Sequence, residues 1–142
     1  RITIERIVML DLVKNDPAKV AEAGFEFNVV LPDGTETDGL IKVRGKNSKK
    51  VQTFSRALAQ ELTMRSEANI RRGKKNDLSI DESEELACRV AANRIIAWKG
   101  IAKDGVEIAF SEDVAEGILK EYPFLREQVM EESDNLMNFR HD

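Results

Sequence analysis

Apolar positions along this chain switch between a period of two and a period near 3.6, and the switches mark its elements. Residues 2–14 set Ile4, Ile7, Val8 and Asp11 at helical spacing, against the strand preference of their β-branched members. The spacing predicts a helix there. Asp16-Pro17 then supplies a cap and a first helical residue, and Gly24 a stop, which predicts a second, short helix. From Phe25 the period changes to two. Phe25, Phe27, Val29 and Leu31 alternate with Glu26, Asn28 and Val30, as a half-buried strand requires. Pro32-Asp33-Gly34 carries turn chemistry, and a return strand is predicted within Thr35–Arg44, with Ile41 and Val43 on one face and a bulge at Gly39.

Helical spacing resumes after Asn47 or Ser48, either of which can cap. Val51, Phe54, Leu58 and Leu62 form the stripe of a helix running to about Arg72, thinning to Met64, Ala68 and Ile70. Gly73 ends it, and 74–78 reads as a loop. Ser79-Ile80-Asp81-Glu82 matches a capping box. The helix that follows is expected to run to Gly100 and to centre the core, through a band of Leu86, Ala87, Val90, Ala91, Ile95, Ala97 and Trp98. Residues 101–110 hold a Lys103-Asp104-Gly105 turn inside a small extended excursion. Ser111 caps a helix packed through Val114, Ala115, Ile118 and Leu119. Tyr122-Pro123 forces a corner, and a last helix presents Leu125, Val129, Met130 and Leu136. The pattern predicts an α+β fold, predominantly helical with an N-terminal antiparallel β-hairpin. It reads as one domain over 1–142: a short helix plus hairpin at 16–45 and a helical part at 47–139.

Composition narrows the function classes. A chain of 142 residues with 42% hydrophobic and 34% charged residues is long enough for one modest core. One Cys and one His exclude a disulfide framework and leave no ligand set for a Cys/His zinc site. Cys88 lies in a helix pattern beside Ala87 and Val90, and reads as a small core residue; its only His partner, His141, stands at the far C-terminus. No apolar run approaches the roughly 20 residues that span a bilayer. The opening lacks a small-residue cleavage site, so a reducing cytosolic compartment is the expectation.

The net charge of −4 hides a strong division. Residues 1–40 carry four basic and eight acidic groups, residues 41–75 eleven and two, and residues 76–142 seven and sixteen. The expectation is that the acidic ends neutralise the basic middle, within one fold or between subunits. A nucleic-acid regulator using the basic segment 42–75 is the sharper alternative, because phosphate binding needs basic surface left unpaired. Arg71, Arg72, Lys74 and Lys75 have no interleaved aromatics for base stacking, so nucleic acid is disfavoured.

Other chemistry-bearing groups have plainer readings. Gly39 to Gly45-Lys46-Asn47 is a residue too long for a phosphate loop and lacks its Ser or Thr. Glu82, Glu84 and Glu85, and Glu131, Glu132 and Asp134, sit at helix starts and faces without a His or an apolar pocket beside them. Ser111 caps a helix. No catalytic, cofactor or metal site is expected, and the chain is not read as an enzyme.

One set of residues extends this reading. Trp98-Lys99-Gly100-Ile101, Asp104-Gly105, Phe110-Ser111-Glu112-Asp113, Tyr122-Pro123 and Asn138-Phe139 occur in that order, after Ala23-Gly24-Phe25-Glu26-Phe27 and a Pro32-Asp33-Gly34 hairpin. The pattern, over about 16–139, resembles tail assembly chaperones of long-tailed bacteriophages. The resemblance implies a phage or prophage protein that binds the tape measure protein, keeps this long helical client soluble and supports tail tube assembly. The tail tube protein becomes a second partner, and self-association is compatible. The resemblance further implies a protein of the bacterial host cytoplasm, absent from the finished virion. A structural phage protein, at the head–tail joint or in the tail, is the alternative. Core and client surface are expected to be drawn from Phe25, Phe27, Trp98, Ile101, Phe110, Phe124, Leu136 and Phe139.

Overall fold

The computed structural model describes residues 9–140. The helix expected at 2–14 lies largely outside them. Its described part, 9–14, is not helical: it closes in a turn in which Asp11 Oδ1 accepts from the Val13 and Lys14 amides, at 3.0 and 3.2 Å. Helix α1 (Pro17–Ala23) follows as expected, with the Asp16 carboxylate accepting from Ala18 and Gly24 at φ +85° ending it. Strands β1 (Phe25–Val30) and β2 (Glu36–Val43) form the hairpin. Asn28 faces Leu40, but Val30 faces Glu36, so extra residues of β2 loop out around Gly39. Thr37 stabilises this bulge by donating its hydroxyl to the Val29 carbonyl (2.7 Å) and accepting from the Gly39 amide (3.2 Å).

Helix α2 (Lys49–Arg71) is capped by Ser48. Its predicted stripe is only partly used: Val51 is buried and Phe54 half-buried, while Leu58 and Leu62 are half-buried beside Leu86 of α3 (Ile80–Arg94). Both members of the Ser79–Glu82 capping box are in place. The expected run of α3 to Gly100 is not observed. The helix ends at Arg94, and Ile95–Lys99 forms β3, which pairs antiparallel with β2. A hairpin at the N-terminus is thus too simple. The hairpin follows α1, its sheet has the order β1-β2-β3, and the third strand comes from the part read as helical.

The cause of that difference is a bulge. Lys42 faces Ala97 while Val43 faces Ile95, leaving Ile96 as an extra residue. The bulge turns Ile95 and Trp98 to the same face although they are three apart, a spacing that otherwise belongs to a helix. Helix formation stops because Ile95 and Ile96 prefer extended backbone and β2 offers an edge to pair with. The carbonyls left open at the end of α3 are met by Arg44, whose guanidinium donates to Asn93 O and, at 3.1 Å, to Ile95 O. Burial pushes the guanidinium below its ordinary value and the charges of Glu112 and Glu22 oppose this.

The excursion is a small hairpin of β4 (Ala102–Lys103) and β5 (Val106–Glu107), turning at Asp104 (φ +52°) and Gly105 (φ +76°). Helices α4 (Glu112–Glu121) and α5 (Pro123–Asp134) follow, and a 3-10 turn spans Leu136–Phe139. Leu136 is therefore not part of the last helix. The core lies between one face of the sheet and α3, α4 and α5. Phe27, Val29, Ile41, Val43, Ile95 and Trp98 meet Cys88, Ala91, Ala92, Ala115, Leu119, Leu125 and Val129. The small residues on α3 and α4 let those helices approach closely.

Arg44→Met should orphan two carbonyls at the α3–β3 junction and lower unfolding free energy by about 2–4 kcal/mol in urea titration. Two glycines should respond with opposite signs. A Cβ on Gly24 would lie 2.5 Å from Ile96 Cδ1 and 3.0 Å from Val43 O at a positive φ, so Gly24→Ala should destabilise by about 1–3 kcal/mol. Gly117 lies within α4 with nothing within 4 Å of its Cβ position, so Gly117→Ala should stabilise by about 0.5–1 kcal/mol.

Candidate protein-interaction surface

The aromatic and aliphatic residues singled out in the sequence separate into core and surface. Phe27, Trp98 and Phe139 are buried. Trp98 donates its indole N–H to Ile108 O at 2.8 Å and meets Phe110 edge-on, ring centres 5.2 Å apart. Phe139 packs edge-on against Phe25 at 6.3 Å, so the C-terminal turn closes the sheet end. Phe25 and Phe110 are half-buried against the core. Leu136 is 52% exposed.

Ile101 and Phe124 share a groove. The Tyr122–Pro123 corner swings the start of α5 beneath the β4–β5 hairpin, and Ile118 comes up from α4. Ile101, Ile108, Ile118, Tyr122, Phe124 and Leu125 line a depression of about 220 Å³. Its polar rim is the Lys103–Glu121 ion pair at 3.0 Å. The bond to Glu121 holds the Lys103 ammonium above its ordinary value, with the Glu121 charge adding to it. Alternation at Val106, Ile108 and Phe110 and the α4 stripe were visible in the sequence. Their meeting at one corner was not, because it depends on how the hairpin folds back over the helices.

A second apolar surface was missed. The far half of the α2–α3 pair exposes Met64 (62%), Ile70 (69%) and Ile80 (87%). The two helices hold together here through Leu58, Leu62 and Leu86 and through ion pairs Arg65–Glu82 and Arg89–Glu61. A thinning stripe hinted at this, but the stripe alone could not say that no other element of the described chain covers it.

Charge is also divided in space. Among the described residues the basic middle reaches the acidic ends through Lys50–Glu112 and Arg65–Glu82. Arg71, Arg72, Lys74 and Lys75 form no ion pair among these residues, so pairing of the basic middle is incomplete among the described residues. No group of three or more His, Cys, Asp or Glu side chains among the described residues is placed to hold a metal ion. No helix among them is long and apolar enough to cross a membrane. Cys88 is buried, its sulfur 3.6 Å from an Arg126 guanidinium nitrogen.

This is an α+β protein, and comparison gives its class. A model of a prophage protein family matches residues 46–142, well over half of the chain. The chain belongs to that family, the YdaY prophage protein family. The match begins after the β1–β2 hairpin. No curated protein and no solved structure matches the chain.

Glu82 holds the α2–α3 pair. The bond from Arg65, then those from Ser79, lower its carboxyl pKa below the usual 4.5. Because the folded value is the lower one, the contribution of this latch is present above the unfolded value and lost as pH falls through the folded one. A carboxyl carbon NMR titration should place the Glu82 midpoint below 4.5 and move it upward in Arg65→Ala. An unmoved midpoint would remove Arg65 as the cause.

Proposed function

We propose that the chain is a non-enzymatic assembly factor of a phage tail. It covers apolar helical surface on the tape measure protein, keeps that client soluble and supports tail tube assembly. The observation carrying this reading is the groove of Ile101, Ile108, Ile118, Tyr122, Phe124 and Leu125. A depression of about 220 Å³ with one ion pair at its rim accepts one or two large apolar side chains from a client helix. The exposed Met64, Ile70 and Ile80 add apolar surface on the α2–α3 pair. Membership in a prophage family supports the phage setting. On this reading the protein works in the host cytoplasm and leaves before the virion is complete.

A second reading, nucleic-acid binding through the basic segment, draws support from Arg71, Arg72, Lys74 and Lys75, which pair with no carboxylate among the described residues. It predicts DNA retention that falls steeply with salt.

Co-expression separates the two. The cognate tape measure protein should remain soluble only beside this chain. Ile118→Glu with Tyr122→Glu should lower that soluble yield severalfold while the circular dichroism spectrum of the variant stays unchanged. Equal client solubility without the chain would defeat the tail-assembly reading.

A further inference from the structure

A third surface lies on the opposite side of Phe124 from the corner groove. Between the end of β1, its turn and α5 runs a depression of about 510 Å³. Phe27, Val30, Leu31 and Phe124 form its apolar floor. Glu127, Glu131 and Glu132 stand along α5 at its edge, and no Lys or Arg lines it. The floor is held in place by Gln128, whose amide bonds Val30 in both directions: its Oε1 accepts from Val30 N at 2.9 Å, and its Nε2 donates to Val30 O. Such a groove suits a segment that is apolar on one side and cationic on the other.

The chain itself carries such a segment. At the end of α2 the Lys74 amide bonds Asn69 O (2.9 Å) and the Gly73 amide bonds Ile70 O (3.1 Å), with Gly73 at φ +67°. This pair of bonds is a Schellman cap, so the tip is an ordered structure. It exposes Ile70 and surrounds it with Arg71, Arg72, Lys74 and Lys75. None of these cations meets a groove carboxylate within the same chain.

We propose that the capped tip of α2 in one copy seats in the β1–α5 groove of a second copy. Ile70 then covers Leu31 and Phe124, and the cations face Glu127, Glu131 and Glu132. The charge division of the chain is thereby completed between subunits. Tip and groove are different surfaces, so the contact closes as a reciprocal pair or a ring, or runs on as an open chain of subunits. Its energy comes largely from exposed charges, so it is weak and sensitive to salt.

Sedimentation equilibrium of the purified chain tests this without any client. Self-association should appear at low ionic strength and weaken by about tenfold or more near 1 M salt. Reversing the tip (R71E/R72E/K74E/K75E) or the groove (E127K/E131K/E132K) should each leave monomers. Mixing the two variants should restore assembly, because each then offers what the other's surface requires. Should the fourfold reversal not fold, R71Q/R72Q, expected to weaken association severalfold, replaces it. A native chain that stays monomeric at low salt overturns the proposal. So does association that survives either reversal, or a tip reversal that removes only retention on DNA.

Discussion

The structure depends on how α3 is allowed to become β3 without a loop. A helix leaves its last carbonyls without partners, and here they are buried beside the sheet. Arg44, at the end of β2, supplies the missing donors to Asn93 and Ile95. Its amide also bonds Arg94 O at 2.7 Å, and its own carbonyl accepts from the buried hydroxyl of Ser133 on α5 at 2.6 Å. Arg94 in turn reaches Ser133 and Asp134, both at 2.9 Å. One residue thus joins the sheet, the end of α3 and the end of α5. With this junction fixed, the register of β3 follows, and Trp98 is carried onto the core face. A cation at a helix C-terminus is also favoured by the helix dipole.

How far the sequence could be read depended on whether a signal was local. Caps and turns were legible because their chemistry lies within a few residues: Asp16 and Gly24, Ser48, Ser79 with Glu82, Ser111, and Asp104-Gly105 all sit where expected. The Gly39 bulge was readable for the same reason. The β3 strand was not. Ile95 and Trp98 at a spacing of three imitate a helical stripe, and only pairing with residues some 55 positions earlier reveals the bulge that reconciles them. The candidate site was half legible. Large side chains could be gathered into a pool, but burial of Phe27, Trp98 and Phe139, and the meeting of Ile101 with Phe124, are tertiary facts. Exposed Met64, Ile70 and Ile80 read as a fading stripe and a capping segment, which is correct locally and silent about what covers them.

The placement of polar groups shows where the chain concentrates its order. The indole of Trp98, the amide of Gln128, the hydroxyl of Ser133 and the guanidinium of Arg44 all bond backbone atoms outside their own elements. Their partners are carbonyls and an amide that the sheet and helices leave open, so these groups hold elements together. Side-chain carboxylates and ammonium groups, by contrast, lie outside on α2, α4 and α5. Apart from Arg44 and Arg94 at the α3 junction, charge is left to the exterior.

Helix α2 follows from the same division. It buries one side chain, Val51, yet extends for 23 residues. At about 1.5 Å per residue it is roughly 35 Å long, comparable to the whole width of a small domain. A helix with so little burial draws its stability from ends and neighbours: the Ser48 cap, the Schellman cap at Gly73 and the pairs with α3. Such a helix is poorly placed to stabilise its own domain and well placed to present side chains at a distance from it. The ordered cap bears on that point. An unneeded helix end frays at little cost, whereas a tip fixed by two bonds and crowded with cations has already met part of the entropic cost of binding. On the proposed reading, a tip held in this way suits a partner with a shaped, acidic surface.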